Sequence, residues 1–182
     1  MGHIDVEDKP KKELSDKELF YEVANFVVKQ GTFATAMIQR EFHVGYMRAE
    51  RVVDKLERMG IVTPISVDKK RNTICKNHEE LKQIFCNTKI YNIAGINHRG
   101  LDDNCLGNFE GTLQAETDNP YDKYAIAIYT KNRHVGYIPC GNQELWERVI
   151  KEHKGIPCRG YIDKGRDENK KCDYYFGEVY VR

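Results

Sequence analysis

Three side chains with binding chemistry lie within four positions of one turn: Asn119, Tyr121 and Asp122. Together they provide an amide, an aromatic ring and a carboxylate, which can donate and accept hydrogen bonds and offer a face for stacking. Pro120 fixes the backbone between them. Because asparagine, aspartate and proline are also ordinary turn formers, an Asx-type turn that leads into a strand is the alternative interpretation.

This turn opens a predicted hairpin. The run from Tyr124 to Tyr129 is typical of a strand, a turn at residues 131–133 follows, and Val135 to Ile138 forms a second apolar run. Around the hairpin the pattern predicts further short strands and one helix, which indicates a small, partly open β-barrel of the SH3 or OB type. The predicted strands cover residues 91–96, 109–117, 124–130, 134–138, 156–163 and 174–181, and the helix covers residues 143–152.

The order Asn-Pro-Tyr-Asp, then Lys, Ala-Ile and a later Val-Gly-Tyr-Ile-Pro resembles the core signature of the HIRAN domain. The resemblance covers about residues 91–182. It implies a small β-barrel module of the kind attached to DNA-repair and remodelling helicases, where it captures 3′ ends of single-stranded DNA. By match to the motif, Tyr121 is expected to stack on a base, Asp122 to accept from the 3′-hydroxyl, and Asn119 to support them.

The same resemblance implies an opposite wall in the segment after the first strand of the barrel. Where helicase-type members have arginine followed by two tyrosines, this chain has Asn97, His98 and Arg99. His98 is expected to stack and Arg99 to bind phosphate, whereas Asn97 lacks the cation of the family pattern. Tyr137 is expected to line the same groove.

The N-terminal part of the chain has the order of a winged helix. Ser15 and Glu18 form a predicted capping box, and the first helix is expected to end near Gly31. Further helices are predicted at residues 35–41 and 46–59, with Gly60 as the C′ residue of the latter. Two short β-like segments, residues 61–62 with 65–67 and residues 72–75, flank a charged turn, and a short helix is expected at residues 77–87. In a winged helix the third helix enters the major groove and the wing reaches adjacent phosphates.

Basic residues are concentrated on two of these elements. The outward face of the third helix is predicted to carry Arg48, Arg51, Lys55 and Arg58, and the wing tip to carry Lys69, Lys70 and Arg71. Charges on a helix face often serve only solubility, and acidic residues share this helix. The winged-helix topology favours duplex binding because it brings the two basic clusters to one surface.

Residues 16–76 resemble the gamma module of FtsK-type DNA translocases, a winged helix that reads short guanine-rich sequences. The matching features are Gln39-Arg40, Phe42, Gly45-Tyr46, Arg48-Ala49, Arg51 and Gly60-Ile61-Val62. Met47 stands where the family commonly has asparagine, and methionine cannot make the bidentate contact that an amide makes with adenine. Asp54 stands where the family has glutamate and can accept from a cytosine amine.

Composition sets broad limits on the fold and the localisation. The chain has 182 residues, a net charge of +1 and 40% hydrophobic residues, which is typical of a soluble globular protein. The fold class expected is α+β, with a mobile arm at residues 1–13, a winged helix at 14–87 and a HIRAN-like barrel at 88–182. The sequence shows neither a signal peptide nor a membrane span, so a cytoplasmic, nucleoid-associated protein is expected. The six cysteines have no zinc-ligand spacing and are expected to be free, mostly buried thiols.

The sequence favours a non-enzymatic protein that binds duplex DNA with the winged helix and single-stranded or 3′-terminal DNA with the barrel. DNA repair, replication restart or mobile-element maintenance is the expected setting, with DNA and a helicase or other repair protein as partners, and no cofactor or metal. Two alternatives remain open. One is a metal-dependent nuclease that uses Asp102, Asp103, Glu116, Asp118 and Asp122. The other is a transcriptional regulator or adaptor whose barrel binds protein.

Overall fold

The computed structural model describes residues 13–131 and 133–182. The predicted mobile arm falls, apart from Glu13, outside these residues. The described chain begins with three helices, α1 (Asp16–Gln30), α2 (Thr35–Phe42) and α3 (Tyr46–Arg58). The strand β1 (Thr32–Phe33) separates α1 from α2 and pairs antiparallel with β2 (Arg71–Asn72). Helix α4 (His78–Asn87) closes this winged-helix-like region.

The ends of these helices follow the local chemistry of the sequence. At the start of α1 the Ser15 hydroxyl accepts from the backbone N–H of Glu18, and the Glu18 carboxylate accepts from the N–H of Ser15, which confirms the predicted capping box. Gly31, with φ of 72°, ends α1. Gly60, with φ of 62°, follows α3, as expected for a C′ glycine. These caps define both ends of α1 and the C-terminal end of α3.

The wing is an irregular hairpin. The backbone N–H of Thr63 donates to the Asn72 carbonyl oxygen at 2.8 Å, and the N–H of Ser66 donates to that of Lys70 at 2.8 Å. The sequence predicted two strands here. The structure has only the two-residue strand β2, which pairs with β1 and so ties the wing to the loop between α1 and α2.

The second half of the chain forms a curled six-stranded antiparallel sheet with the order β3-β8-β7-β4-β5-β6. Helix α5 (Gln143–Lys151) and two short 3₁₀-helices, Ile96–His98 and Asp103–Cys105, complete it. The strands are β3 (Lys89–Asn92), β4 (Gly107–Glu116), β5 (Ala125–Thr130), β6 (Arg133–Tyr137), β7 (Ile156–Asp167) and β8 (Cys172–Val181). The α+β fold class is therefore confirmed.

The two ends of this sheet are joined by one pair of residues. Ala94 and Tyr137 exchange two backbone hydrogen bonds, at 2.8 and 2.9 Å, so the segment after β3 pairs with β6. Gly136 makes this approach possible, because a Cβ there would lie 2.4 Å from Cγ2 of Ile93 and 2.7 Å from the Ala94 carbonyl oxygen. The first strand of the barrel is shorter than the predicted 91–96, since Gly95 turns the chain into the first 3₁₀-helix with φ of 67°.

The two halves each have a hydrophobic core, and two tyrosines of the sheet pack against the N-terminal one. Tyr180 belongs to β8 but is buried in the cluster formed by α1, α3 and α4. Tyr161 of β7 packs against the same cluster. Strands β7 and β8 thus place one ring each against the winged-helix region.

The described cysteines are free, as expected, but only Cys75 and Cys158 are buried. The expectation of mostly buried thiols was therefore wrong, because Cys86, Cys140 and Cys172 lie on exposed positions of helix, loop and hairpin. Burial raises the pKa of the Cys158 thiol to about 12. In the described part of the chain there is no helix with the length and apolar character needed to cross a bilayer.

Candidate nucleic-acid interface

An open groove of about 720 Å³ lies beside the point where the barrel closes. It brings together five of the seven residues predicted to bind single-stranded DNA, of which one, Arg99, belongs to the predicted opposite wall. Its lining includes Arg99, Asn119, Tyr121, Asp122 and Tyr137, together with Ala94, Glu116, Asp118, Pro120, Ala125, Ile138 and Cys140.

Asn119 builds the turn that forms one side of this groove. Its Oδ1 accepts from the backbone N–H of Tyr121 at 3.0 Å and from that of Asp122 at 3.1 Å. This is the Asx-type turn that was the alternative interpretation of the sequence. The turn and the binding interpretation are compatible, because the turn places the next two side chains at the groove.

Glu116 connects the two sides of the groove and was not among the predicted DNA-binding residues. Its Oε2 accepts from Nδ2 of Asn119 at 2.9 Å and from the hydroxyl of Tyr137 at 3.0 Å. Burial, and then the neighbouring Glu116 carboxylate, raise the pKa of Tyr137. The tyrosine hydroxyl therefore stays protonated and keeps donating to Glu116.

The turn presents its aromatic ring to solvent. Tyr121 has a relative exposure of 96%, so the free chain gains almost no burial from it. Asp122 is half-buried, and its Oδ1 accepts from the backbone N–H of Tyr124 at 2.9 Å. One carboxylate oxygen of Asp122 thus orders the start of β5.

The opposite side of the groove has a cation packed on a ring. The guanidinium carbon of Arg99 lies 4.7 Å from the centroid of the Tyr137 ring. Behind Tyr137, the His134 ring contacts it edge-on at 4.7 Å and stacks on Tyr129 at 5.0 Å. Burial lowers the pKa of His134, and the positive charge of Arg99 lowers it further. The ring of Tyr137 therefore contacts both Arg99 and His134.

Asn97 and His98 do not belong to this groove. Asn97 forms two hydrogen bonds with the backbone of Tyr175, donating through Nδ2 at 2.9 Å and accepting through Oδ1 at 2.6 Å. It therefore anchors the first 3₁₀-helix to β8. Asn97 and His98 both line a separate cavity of about 410 Å³ beside Tyr175 and Phe176. Of the three residues expected on the opposite wall, the structure places Arg99 alone in the groove.

On α3, two of the predicted duplex contacts also hold the helix in place. Nε of Arg48 lies 2.9 Å from Oδ1 of Asp16, and its Nη1 lies 3.2 Å from Oε1 of Glu13. Nζ of Lys55 lies 4.9 Å above the Phe20 ring. These two side chains therefore point along the α1 side of α3.

The N-terminal half of α3 is the part that faces solvent. Met47 has a relative exposure of 66%, and Arg51 is exposed without an ion pair among the described residues. At the wing tip Lys69 and Lys70 are exposed, and Nζ of Lys70 lies 3.8 Å from Oδ2 of Asp68. Among the predicted duplex contacts, Arg51 and Lys69 are thus exposed cations without an ion pair to another described residue.

Arg71 has a different position from the expected one at the wing tip. It is 5% exposed, and its guanidinium contacts Glu50 at 3.1 Å, Asp54 at 3.5 Å and Glu57 at 3.6 Å. These three carboxylates lie on the face of α3 that meets β2. Burial is the main reason that the pKa of Asp54 is raised, and Glu50 adds to it. Arg71 therefore neutralises an acidic helix face, which explains why it is buried.

Arg58, expected on the same outward face, lies against the barrel instead. Its guanidinium carbon is 4.3 Å from the centroid of Tyr161, and Nη1 donates to Oδ1 of Asn108 at 3.1 Å. No local pattern predicts this contact, because Tyr161 and Asn108 are far from Arg58 in the sequence.

The acidic group considered for metal binding is divided between two places. Asp102 pairs with Arg133 at 3.1 Å, and Asp103 pairs with Lys164 at 2.9 Å, while the other three line the groove. Each of these cations lowers the pKa of its partner carboxyl through a side-chain hydrogen bond. Within residues 13–131 and 133–182 no group of three or more His, Cys, Asp or Glu side chains is arranged to hold a metal ion.

The fold and the site thus define a winged-helix-like module joined to a curled β-sheet with an aromatic groove. Residues 15–76 match the model of the Ftsk gamma domain, so the gamma module predicted from the sequence is present in this region.

Relatives with curated descriptions match in this region of the chain. DNA translocase SftA of Bacillus subtilis is 39% identical over 59 residues, which are 32% of this chain and 6% of the relative. DNA translocase FtsK of Haemophilus influenzae is 46% identical over 52 residues, which are 29% of this chain and 10% of the relative. FtsK of Pasteurella multocida is 48% identical over 53 residues, which are 29% of this chain and 6% of the relative. The chain therefore spans a tenth or less of the length of these relatives.

Two solved structures are also similar. The HIRAN domain of human HLTF is 22% identical with a TM-score of 0.32, and the match covers 52% of this chain and 74% of that one. An IclR family transcriptional regulator from Brucella abortus is 8% identical with a TM-score of 0.32, and the match covers 98% of this chain and 85% of that one.

Proposed function

We propose that this protein is a non-catalytic DNA-binding protein that holds duplex with its winged-helix module and a single-stranded or 3′-terminal segment with its barrel. The observation that carries the proposal is the groove in which the exposed Tyr121 ring lies with Arg99 and Tyr137. Junctions of this kind arise in DNA repair, replication restart and mobile-element maintenance. A helicase or another repair protein is the expected protein partner, and association with the nucleoid the expected location.

The duplex part is supported by the gamma-domain match and by the exposed surface of α3. The matched relatives are described as DNA translocases. Arg51 on α3 and Lys69 on the wing are exposed cations that can contact phosphates or guanine edges. Met47 is well exposed on the same helix and offers a thioether instead of an amide. The target sequence is therefore expected to differ from one read through asparagine.

The single-strand part is supported by the chemistry of the groove. A terminal base can stack on Tyr121, and Arg99 lies where it can approach a phosphate. The carboxylate of Asp122 can accept from a 3′-hydroxyl, whereas it repels a 3′-phosphate. The groove is therefore expected to prefer an unmodified 3′ end.

The decisive experiment measures binding of the full chain to a labelled duplex with a 3′ single-stranded overhang, ending in either a hydroxyl or a phosphate. The hydroxyl end is expected to bind more tightly. Tyr121→Ala is expected to weaken binding of the overhang by about 1–3 kcal/mol, the value of one base stacked on an aromatic ring. Tyr174→Ala is the matched control, because this exposed tyrosine lies on β8 and does not line the groove.

Asp122→Asn separates end recognition from general stacking. The asparagine retains an oxygen for the Tyr124 N–H but loses the negative charge. The variant is expected to bind hydroxyl and phosphate ends with similar affinity. Equal affinity of the unaltered protein for both ends, together with full binding by Tyr121→Ala, would refute the end-capture proposal.

The duplex part has its own test. Arg51→Ala is expected to lower duplex affinity and to reduce the slope of log K against log salt by about 1 if this arginine contacts a phosphate. Lys82→Ala, an exposed cation on α4, is the control and is expected to change neither. An unchanged salt slope and affinity in Arg51→Ala would argue against this face of α3 as the duplex site.

A further inference from the structure

A second cavity, of about 650 Å³, lies between the two modules. It is bounded by the end of α3, by β4 and β7 of the sheet, by α5 and by the residues after β8. Four arginines line it: Arg58, Arg148, Arg159 and Arg182. Two carboxylates, Glu110 and Glu152, line it as well. We call this cavity the arginine cleft.

The four arginines of the arginine cleft come from different elements. Arg58 is the last residue of α3, Arg148 lies on α5, Arg159 lies on β7, and Arg182 follows β8. Their convergence is a product of the way the modules pack. The cleft therefore forms only when the winged helix and the barrel are in contact.

The positive charge of the cleft is only partly compensated, since four arginines face the two carboxylates Glu110 and Glu152. Arg159 pairs with Glu110 at 3.2 Å, but the side chain of Glu110 is 81% exposed. In the described part of the chain no side-chain carboxylate lies within ion-pair distance of Arg58, Arg148 or Arg182, although Glu80 is near enough to act on the pKa of Arg182. Arg148 and Arg182 instead donate to the main-chain oxygens of Arg182 and Met59.

Two of these guanidinium groups are crowded together. A Cβ on Gly60 would lie 2.4 Å from Nη1 of Arg159 and 3.3 Å from Nη2 of Arg182. The two guanidinium groups therefore both lie next to Gly60. Burial lowers the pKa of Arg182, and the charge of Arg159 lowers it further. Nε of Arg58 is buried without a hydrogen-bond partner among the described residues. Like charges and unsatisfied donors in one cavity favour an anion there.

We propose that the arginine cleft is a binding site for phosphate groups. Guanidinium groups bind phosphate through paired, charge-assisted N–H donors, and several of them suit a ligand with more than one negative charge. Two sources have this chemistry: a phosphodiester backbone passing between the modules, and a free polyphosphate. The site is distinct from the Tyr121 groove and does not depend on the function proposed for that groove.

The test uses the full chain with sodium pyrophosphate as the probe for the free ligand. Pyrophosphate is expected to raise the Tm saturably, beyond the effect of sodium chloride at equal ionic strength. Arg148→Gln and Arg159→Gln are the variants of choice, because both side chains are exposed at the rim and neither belongs to a core. Each is expected to weaken pyrophosphate binding at least fivefold. Arg166→Gln, an exposed arginine on the β7–β8 hairpin outside the cleft, is the matched control and should bind normally.

A second arm identifies the source. If a DNA backbone occupies the cleft, Arg148→Gln and Arg159→Gln each reduce the salt slope of junction-DNA binding by about 1, and pyrophosphate competes with the DNA. If pyrophosphate binding depends on these arginines while DNA binding does not, the occupant is a free polyphosphate. The proposal is overturned if neither pyrophosphate binding nor the DNA salt slope changes in either variant. The Tyr121→Ala comparison is unaffected by that result, so failure of the cleft and failure of the groove are distinguishable.

Discussion

The guanidinium carbon of Arg58 lies 4.3 Å from the centroid of the Tyr161 ring, which joins the last turn of α3 to the barrel. The same group lies 5.7 Å from the centroid of Tyr180, the β8 residue buried in the N-terminal core. A third contact joins it to Asn108. One arginine of the winged-helix region therefore contacts three residues of the barrel. Because of these contacts, the two modules are expected to unfold together.

Arg58→Ala is expected to weaken this coupling. Loss of a cation–π contact, worth about 0.5–2 kcal/mol, and of a hydrogen bond, worth about 1 kcal/mol, lowers the free energy of unfolding by roughly 1–3 kcal/mol. Scanning calorimetry is expected to show two transitions in the variant where the unaltered protein shows one. Arg40→Ala, on the exposed part of α2, should leave the profile unchanged. A single, unshifted transition in Arg58→Ala would mean that the contact contributes nothing to coupling.

Arg71→Ala tests whether this residue is structural or binds DNA. The substitution leaves Glu50, Asp54 and Glu57 together without their cation, and breaking a buried pair in this way costs about 3–5 kcal/mol. Urea unfolding should show this loss, whereas Lys70→Ala on the exposed wing tip should change the free energy of unfolding by less than about 0.5 kcal/mol. A stable Arg71→Ala protein with weakened duplex binding would instead restore the wing-tip interpretation.

The helices could be predicted because their signals are local. The capping pair Ser15 and Glu18 starts α1, and Gly60 follows α3. Residues close in sequence therefore determine the start of the first helix and the end of the third. The two-residue strand β1 could not be predicted, since Thr32 and Phe33 are too few to show an alternating pattern. The 3₁₀-helices were missed because three residues are too few to show a helical period.

The site residues were predictable only in part. Asn119, Tyr121 and Asp122 are neighbours in sequence, so a turn motif was enough to place them together. Asn97 could not be assigned correctly, because its partner Tyr175 is 78 positions away. In the sequence Arg71 belongs to a charged stretch that is typical of a solvent-exposed turn. In the structure it is buried because three acidic residues on one face of α3 pair with it. That acidic face, Glu50, Asp54 and Glu57 at helical spacing, was a sequence signal that could have predicted a buried cation.

The pH dependence of stability is expected to include a contribution from His134. Its pKa is lowered in the folded state, so the unfolded chain binds the proton more readily. The stabilising effect is fully present above the unfolded pKa of about 6.5 and is lost as the pH falls below it toward the folded value. Urea unfolding between pH 8 and 5 should show that the free energy of unfolding falls less in His134→Gln than in the unaltered protein. In the control His153→Gln, which changes an exposed histidine after α5, the free energy of unfolding should fall as in the unaltered protein. An equal fall in all three proteins would contradict a role for His134.

Gly136→Ala tests whether closure of the barrel supports the groove. A Cβ at this position would lie 2.4 Å from Ile93 and 2.7 Å from the Ala94 carbonyl oxygen, so the Ala94–Tyr137 pair has to separate. We expect a loss of about 1–3 kcal/mol of stability, typical of overpacking, together with weaker binding of the 3′ overhang because Tyr137 moves with the pair. Gly141→Ala is the control: its φ is 87°, and a Cβ there meets no described atom within 4 Å, so only backbone strain is added. Equal stability and equal overhang binding in the two variants would show that closure at Ala94 and Tyr137 does not position the groove.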